Sequence, residues 1–248
     1  MTSWSIIDYF LRPKPAFFAI ARELRPYTVG ITRKDHKEYA NERTLAHFTI
    51  TSKLEIWGTN STLELKRATL RVASFDLERP DWSDRWEINV TLTPNASTEL
   101  WRGKVPGQPV RTRESQVPKA IVVSARLFDE DGTILARYSN WWVSTLSMGV
   151  IALAAIDVQG PTRPEPFKYL HFPDVKDLGL TITTVGDGES VALSTQRPIK
   201  GIVLEAEGEE VKWGDQAIDL VPGDPQIINA TGLRGRAVKA RFLGDGTA

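Results

Sequence analysis

The chain has 248 residues, 31 basic and 31 acidic side chains and no formal net charge; 41% of it is hydrophobic and 25% charged. These are ordinary globular proportions, and the charge balance gives no electrostatic case for nucleic acid or an anionic membrane as partner. With no cysteine and three scattered histidines (His36, His47, His171), disulfides, thiolate chemistry and the usual zinc spacings are excluded, so no metal, cofactor or redox switch is expected.

The first residues, Met1-Thr2-Ser3-Trp4-Ser5-Ile6-Ile7-Asp8, have no basic region ahead of a long apolar run and so do not read as a secretory signal. Pro13 and Pro15 lead into a short helix in which Phe17, Ile20, Ala21 and Leu24 fall at i, i+3, i+4 and i+7, and Pro26 ends it. Each large side chain of that stripe left in water forfeits roughly 1.5–3 kcal/mol, so the helix is expected to dock on the next domain or on one outside the chain.

From Leu45 the period changes to two. Trp86, Ile88, Val90 and Leu92 alternate with Glu87, Asn89 and Thr91, which predicts a strand with one wet face. Leu54–Trp57 and Thr69–Ala73 predict two more strands, with a turn at Asn60-Ser61 between the segments that hold them. Ala120–Leu127 is a continuous run, as in a central strand, and Asp129-Glu130-Asp131-Gly132 turns the chain into Thr133–Tyr138. About seven strands with few helix signals predict an antiparallel sandwich. A second β unit follows Pro166: strands are expected over Leu178–Thr184, Val191–Leu193, Ile199–Leu204, Ala217–Val221, Gln226–Ile228 and Ala237–Phe242, with a hairpin at Gly186-Asp187-Gly188. The acidic stretch Glu205–Glu210 reads as a solvated hairpin rather than a metal site. The expected fold is mainly β, two immunoglobulin-like sandwiches in series after one short helix.

The run Ser3–Phe18 resembles the end of the catalytic barrel in β-mannosidases of glycoside hydrolase family 2, most of all the fungal, β-mannosidase B-like type. Asp174–Leu178 and Asp219–Asp224 are similar to the closing domain of that family. The resemblance implies this domain order: 1–26, the final helix of a (β/α)8 barrel that is otherwise missing; 27–141, a mannosidase immunoglobulin/carbohydrate-binding-module-like sandwich; 142–163, an apolar insert or linker; and 164–248, an immunoglobulin-fold sandwich. It also implies a retaining hydrolase of terminal, non-reducing β-mannose, whose two catalytic carboxyl groups lie upstream. No catalytic, cofactor-binding or metal residue is therefore assigned in this chain, which is expected to be inactive alone and to meet substrate only through the barrel. Glu42, in Asn41-Glu42, resembles the acid/base dipeptide of the family but stands after the barrel helix, the wrong place for that role. Phe17, Ile20 and Leu24 are expected to pack on an absent or neighbouring domain. The alternative is a stand-alone, non-catalytic carbohydrate-binding module, in which they would bury in the first sandwich.

The family would pass almost directly from Tyr138-Ser139-Asn140-Trp141 to Pro164–Tyr169, whereas here Trp142–Arg163 intervene. Tyr138–Ile156 carry no charge, but their polar residues and the lack of basic flanks argue against a membrane span. The preferred reading is a translated, unspliced intron of 66 nucleotides, with Val143-Ser144 encoded by a GTAAGT donor; an extra structural element is the other. Among the eight tryptophans, Trp82, Trp86 and Trp101 are the candidates for stacking on a sugar, against packing in the core. Asn60, Asn89, Asn95 and Asn229 stand in glycosylation sequons, which matter only for a secreted chain. The lack of a signal and of cysteine leans to the cytoplasm.

Overall fold

The computed structural model describes residues 5–41, 47–141, 178–208 and 210–245. The insert 142–163, Glu42 and the segment Asp174–Asp177 lie outside them. The chain divides into two compact units, Pro26–His171 and a second made of Met1–Arg25 with Phe172–Ala248.

Among the described residues the Pro26–His171 unit holds seven strands: β1 (Tyr27–Tyr39), β2 (Phe48–Asn60), β3 (Lys66–Asp76), β4 (Ser83–Leu92), β5 (Ala96–Lys104), β6 (Ile121–Phe128) and β7 (Ile134–Trp141). They form two antiparallel sheets in the orders β1-β2-β5 and β4-β3-β6-β7, packed as an immunoglobulin-like sandwich. The period-two pattern explains which face is dry. In β2 the positions of Ile50, Ser52, Leu54, Ile56 and Asn60 are buried and those between are wetter, while β4 presents Trp86, Ile88, Val90 and Leu92 inward. β6 is enclosed by β3 and β7 and is buried on both faces except at Arg126, as its continuous apolar run requires. The Asp129–Gly132 turn closes with Gly132 N–H to Asp129 O (3.0 Å) and Asp129 N–H to Thr133 O (2.7 Å).

Asn60 shows how the β2–β3 connection is held. Its side chain is fully buried; Nδ2 donates to Glu64 O (2.7 Å) and Leu92 O (3.3 Å), while Oδ1 accepts from the amide (2.9 Å) and hydroxyl (2.8 Å) of Thr62. An amide with both Nδ2 hydrogens engaged under the strands cannot carry a glycan in the folded chain. Asn89, Asn95 and Asn229 are exposed. Asn95 sits at φ 46° in the β4–β5 turn, a left-handed conformation that asparagine tolerates better than most side chains.

The described residues of the second unit form α1 (Pro15–Glu23) and seven short strands: β8 (Thr181–Val185), β9 (Ser190–Ser194), β10 (Ile199–Ala206), β11 (Lys212–Trp213), β12 (Ile218–Leu220), β13 (Gln226–Thr231) and β14 (Val238–Arg241). Their sheets run β12-β10-β14 and β11-β13-β9-β8 around Val191, Leu193, Ile202, Leu204, Leu220 and Ile228. Side chains replace missing ladder bonds. The buried amide of Gln216 accepts from Leu204 N–H (2.7 Å) and donates to Leu204 O (3.0 Å). The Glu189 carboxylate takes the successive amides of Gly232 (2.6 Å), Leu233 (3.3 Å) and Arg234 (3.1 Å). The predicted hairpin at Glu205–Glu210 is not one: β10 and β11 lie in different sheets, and Glu205 and Glu207 pair instead with Arg241 and Lys239 of the β14 region.

α1 has proline in its first turn, as predicted, but the side it buries is Phe18 rather than the Phe17–Ile20–Leu24 stripe. Four residues on from Phe18, Arg22 donates to the Asp215 carboxylate, to Gln216 O (2.9 Å) and to Ala217 O (3.0 Å). The helix is thus tied to the β11–β12 loop of its own unit. Ile20 remains 43% and Leu24 79% exposed.

Candidate functional site

The three tryptophans singled out by sequence are all packed against the core of the first sandwich. Trp86 on β4 and Trp101 on β5 meet where those two edge strands approach each other, with ring centroids 4.8 Å apart and planes tilted by 39°. Trp101 also lies over Gly103, where an added Cβ would stand 2.4 Å from the ring, and Trp82 covers Gly107 in the same way. Trp101 belongs to β5, a strand that sequence reasoning did not identify. These rings close one side of a sandwich.

A different part of the same unit presents an open surface. β1 and β2 pair over thirteen rungs, and the outer five, Asp35 with Ser52 through Tyr39 with Phe48, extend past the end of the β2–β5 pairing at Lys53 and Lys104. Only Ile50 among the apolar residues of these rungs is buried, so core packing does not account for the extension. It is braced from the side by the segment after β5. Ile50 and Arg111 exchange backbone hydrogen bonds of 2.7 and 3.0 Å, Arg111 pairs with Asp35, Ser52 donates to Asp35 (2.5 Å), and Lys37 Nζ reaches Glu114 Oε1 at 2.7 Å. The Glu114 hydrogen bond raises the Lys37 pKa, and the Lys37 hydrogen bond lowers that of Glu114, so both stay charged across neutral pH.

Arg33, next inward on β1, is 4% exposed and donates to Ile121 O (3.2 Å) and Gln108 Oε1 (3.0 Å). Burial pushes its pKa down to about 9, partly offset by the nearby Asp35 charge; it is still a cation at neutral pH. Such a buried, hydrogen-bonded guanidinium fixes the loop that carries Gln108 and Arg111 against the strands.

Beside the Tyr39–Phe48 rung is a cleft of about 410 Å³ bordered by Glu38, Tyr39, His47, Phe48, Thr49 and Thr112. Tyr39 and Phe48 are a cross-strand pair in edge-to-face contact, with centroids 6.0 Å apart, and the Lys37 ammonium lies 4.0 Å from the Phe48 ring centre and 5.1 Å from that of Tyr39. Tyr39 and Phe48 stand on one face of the hairpin, and Glu38 and Thr49, one rung inward, on the other. Among the described residues no group of three or more His, Asp or Glu side chains is placed to hold a metal ion, and no helix is long and apolar enough to cross a membrane.

The sandwich and its strand order point to a known class of domain: residues 52–145 match the family model for the mannosidase Ig/CBM-like domain. The chain as a whole is homologous to β-mannosidases B. It is 32% identical over 98% of its length to 26% of β-mannosidase B of Thermothelomyces thermophilus, and 35% identical over 98% of its length to 25% of that of Aspergillus niger. The chain therefore spans about a quarter of the length of the curated relatives it matches. Among solved structures, the β-D-mannosidase of Dictyoglomus thermophilum shares its fold with a TM-score of 0.60 at 16% identity, over 97% of this chain and 24% of that one.

Proposed function

We propose that the chain works as the C-terminal accessory part of a β-mannosidase, an enzyme that removes terminal, non-reducing β-linked mannose, and that the catalytic carboxyl groups lie in a barrel outside it. The observation that carries this reading is the match of nearly the whole chain, at about one residue in three, to one quarter of several β-mannosidases B. A double-displacement hydrolysis needs two carboxyl groups roughly 5–5.5 Å apart, one as nucleophile and one as acid and base. Among the described residues the carboxylates whose titration the fold displaces serve other ends: the backbone amide of Arg12 lowers the pKa of Asp8, and hydrogen bonds from Lys37, Lys66 and Lys239 lower those of Glu114, Asp129 and Glu207. These are ion pairs of the scaffold, without the raised pKa that suits a general acid.

In this reading the two sandwiches are a platform, and α1 is the element that faces the rest of the enzyme. One side is tied to the chain's own sandwich through Arg22, and Phe17, Ile20 and Leu24 supply an apolar surface for the barrel. The purified 248-residue chain is expected to show no turnover of an aryl β-mannoside above a buffer control. Turnover that copurifies with the chain through successive columns would place a catalytic pair within it and overturn the reading.

A further inference from the structure

We infer that the loop of residues 5–14, which leads into α1, meets the leaving group of the substrate in the whole enzyme, with Tyr9 and Phe10 as the contacting side chains. The inference rests on the proposed function and deepens it by giving residues of this chain a part in specificity. Three observations carry it. First, the loop is built around one carboxylate. Asp8 Oδ1 accepts the amides of Phe10 (2.8 Å) and Arg12 (2.9 Å), and Oδ2 accepts Arg12 Nε (2.7 Å). The backbone closes with Asp8 N–H to Arg12 O (2.9 Å), Leu11 N–H to Asp8 O (3.1 Å) and Lys14 N–H to Ile6 O (3.0 Å). A shape fixed by its own hydrogen bonds is ordered before a ligand arrives, so the ordering cost of recognition is already met. Second, the tip so held is apolar and wet. Tyr9 is 92%, Phe10 70% and Leu11 83% exposed, and the two rings stand edge to face with centroids 5.3 Å apart. Leu11 is at φ 62°, a left-handed conformation that is costly for a bulky side chain and that recurs at ligand-contacting positions. Third, the loop runs straight into Pro15 in the first turn of α1, which in the proposed function is the final helix of a (β/α)8 barrel. The segment ahead of a barrel helix is a βα loop, and βα loops build the catalytic face of such barrels.

The chemistry of the tip selects the part of the substrate. A terminal mannose carries hydroxyls around its ring and needs several fixed donors and acceptors, whereas this tip offers two aromatic rings, an isobutyl group and one phenol hydroxyl. It suits an apolar or aryl leaving group instead. Arg12 pairs with Asp8 and lies 5.0 Å from the centre of the Phe10 ring, so its charge steadies the loop.

The test uses a whole enzyme, β-mannosidase B of Thermothelomyces thermophilus with this chain in place of the quarter that aligns with it. Its kcat/KM is measured on an aryl β-mannoside and on methyl β-mannoside, which share the sugar and differ in leaving group. Tyr9→Ala and Phe10→Ala are each expected to shrink the advantage of the aryl over the methyl substrate about tenfold, chiefly through KM, while Tyr9→Phe, which retains the ring, keeps most of it. Both side chains are exposed in the chain, so these variants leave its own fold intact. Asp8→Ala, which releases the tip, is expected to lower the same ratio with Tyr9 and Phe10 in place. An active hybrid whose ratio is unchanged in both alanine variants would overturn the role of the loop and leave the proposed function standing. Equal losses on the two substrates, with a lower melting temperature of the hybrid, would assign Tyr9 and Phe10 to packing on the barrel and overturn it as well. A hybrid inactive on both substrates would overturn the proposed function and this inference together.

Discussion

Leu70→Ala is expected to cost the chain roughly 2–5 kcal/mol of folding stability, a large share of the about 5–15 kcal/mol available to an ordinary domain. Leu70 lies at the centre of the β4-β3-β6-β7 sheet, opposite Ile88 on one side and Leu127 on the other, with no exposed surface. Truncating its isobutyl side chain to a methyl loses the transfer energy of the missing carbons and leaves a void, because rigid strands on both sides prevent collapse. Ile88→Ala is the internal comparison. Ile88 stands on an edge strand and is half-buried, so water can fill the space, and the loss should be no more than about half as large. Urea denaturation followed by tryptophan fluorescence measures both. Equal losses would mean that the dry centre of this sandwich is not where the burial pattern puts it.

Arg22→Ala is the second large effect, expected at about 2 kcal/mol in the same assay. The guanidinium satisfies one carboxylate and two backbone carbonyls on the β11–β12 loop, and the two side chains of the ion pair are only 25% and 19% exposed, so solvent screens the contact less than at an open surface. Alanine leaves Gln216 O and Ala217 O short of donors beside Asp215. Arg22→Lys should recover less than half of the loss, because a single ammonium cannot span three acceptors as a planar fork does. Combining Arg22→Ala with Asp215→Asn should give less than the sum of the two single effects. Full additivity would show that the helix is held by Phe18 alone.

These two positions mark the limits of what the amino-acid pattern reveals. The core strands were legible because burial on one face imposes a period of two: β4 alternates, β6 between two neighbours is mostly apolar and buried at every position but Arg126, and Asp129–Gly132 turns where predicted. β1 was missed altogether, the period of two having been read only from Leu45, because Arg33 occupies an inward position where the pattern calls for an apolar residue, and Lys34 to Glu38 then carry no core. β5 and the two-residue β11 were missed for a related reason, their half-buried edge positions giving weak alternation. In α1 the helical period grouped Phe17 and Ile20 with Leu24, which falls at the cap just past the helix, and a period cannot say which face meets the chain's own fold. That was decided by a polar residue, Arg22, through acceptors almost two hundred residues away in sequence.

The cleft had no sequence signature at all. Tyr39 and Phe48 become neighbours only through the strand register, and Thr112 joins them only because Arg111 pairs with Ile50. The tryptophans drew attention by residue type, but their partners, Gly103, Gly107 and each other, show that half-buried rings at sandwich edges can be engaged in packing. Family resemblance was legible from the start of the chain, since the sequence there and in the second unit keeps recognisable runs even at one identity in three.

The most direct test of the central claim is an exchange. The quarter of Thermothelomyces thermophilus β-mannosidase B that aligns with this chain would be replaced by the chain, and kcat/KM on an aryl β-mannoside compared with the intact enzyme and with a version lacking that quarter. If the chain is the accessory part of such an enzyme, the hybrid is folded and retains substantial activity, while the shortened version loses it. A hybrid that folds yet hydrolyses no faster than the shortened version would contradict the assignment.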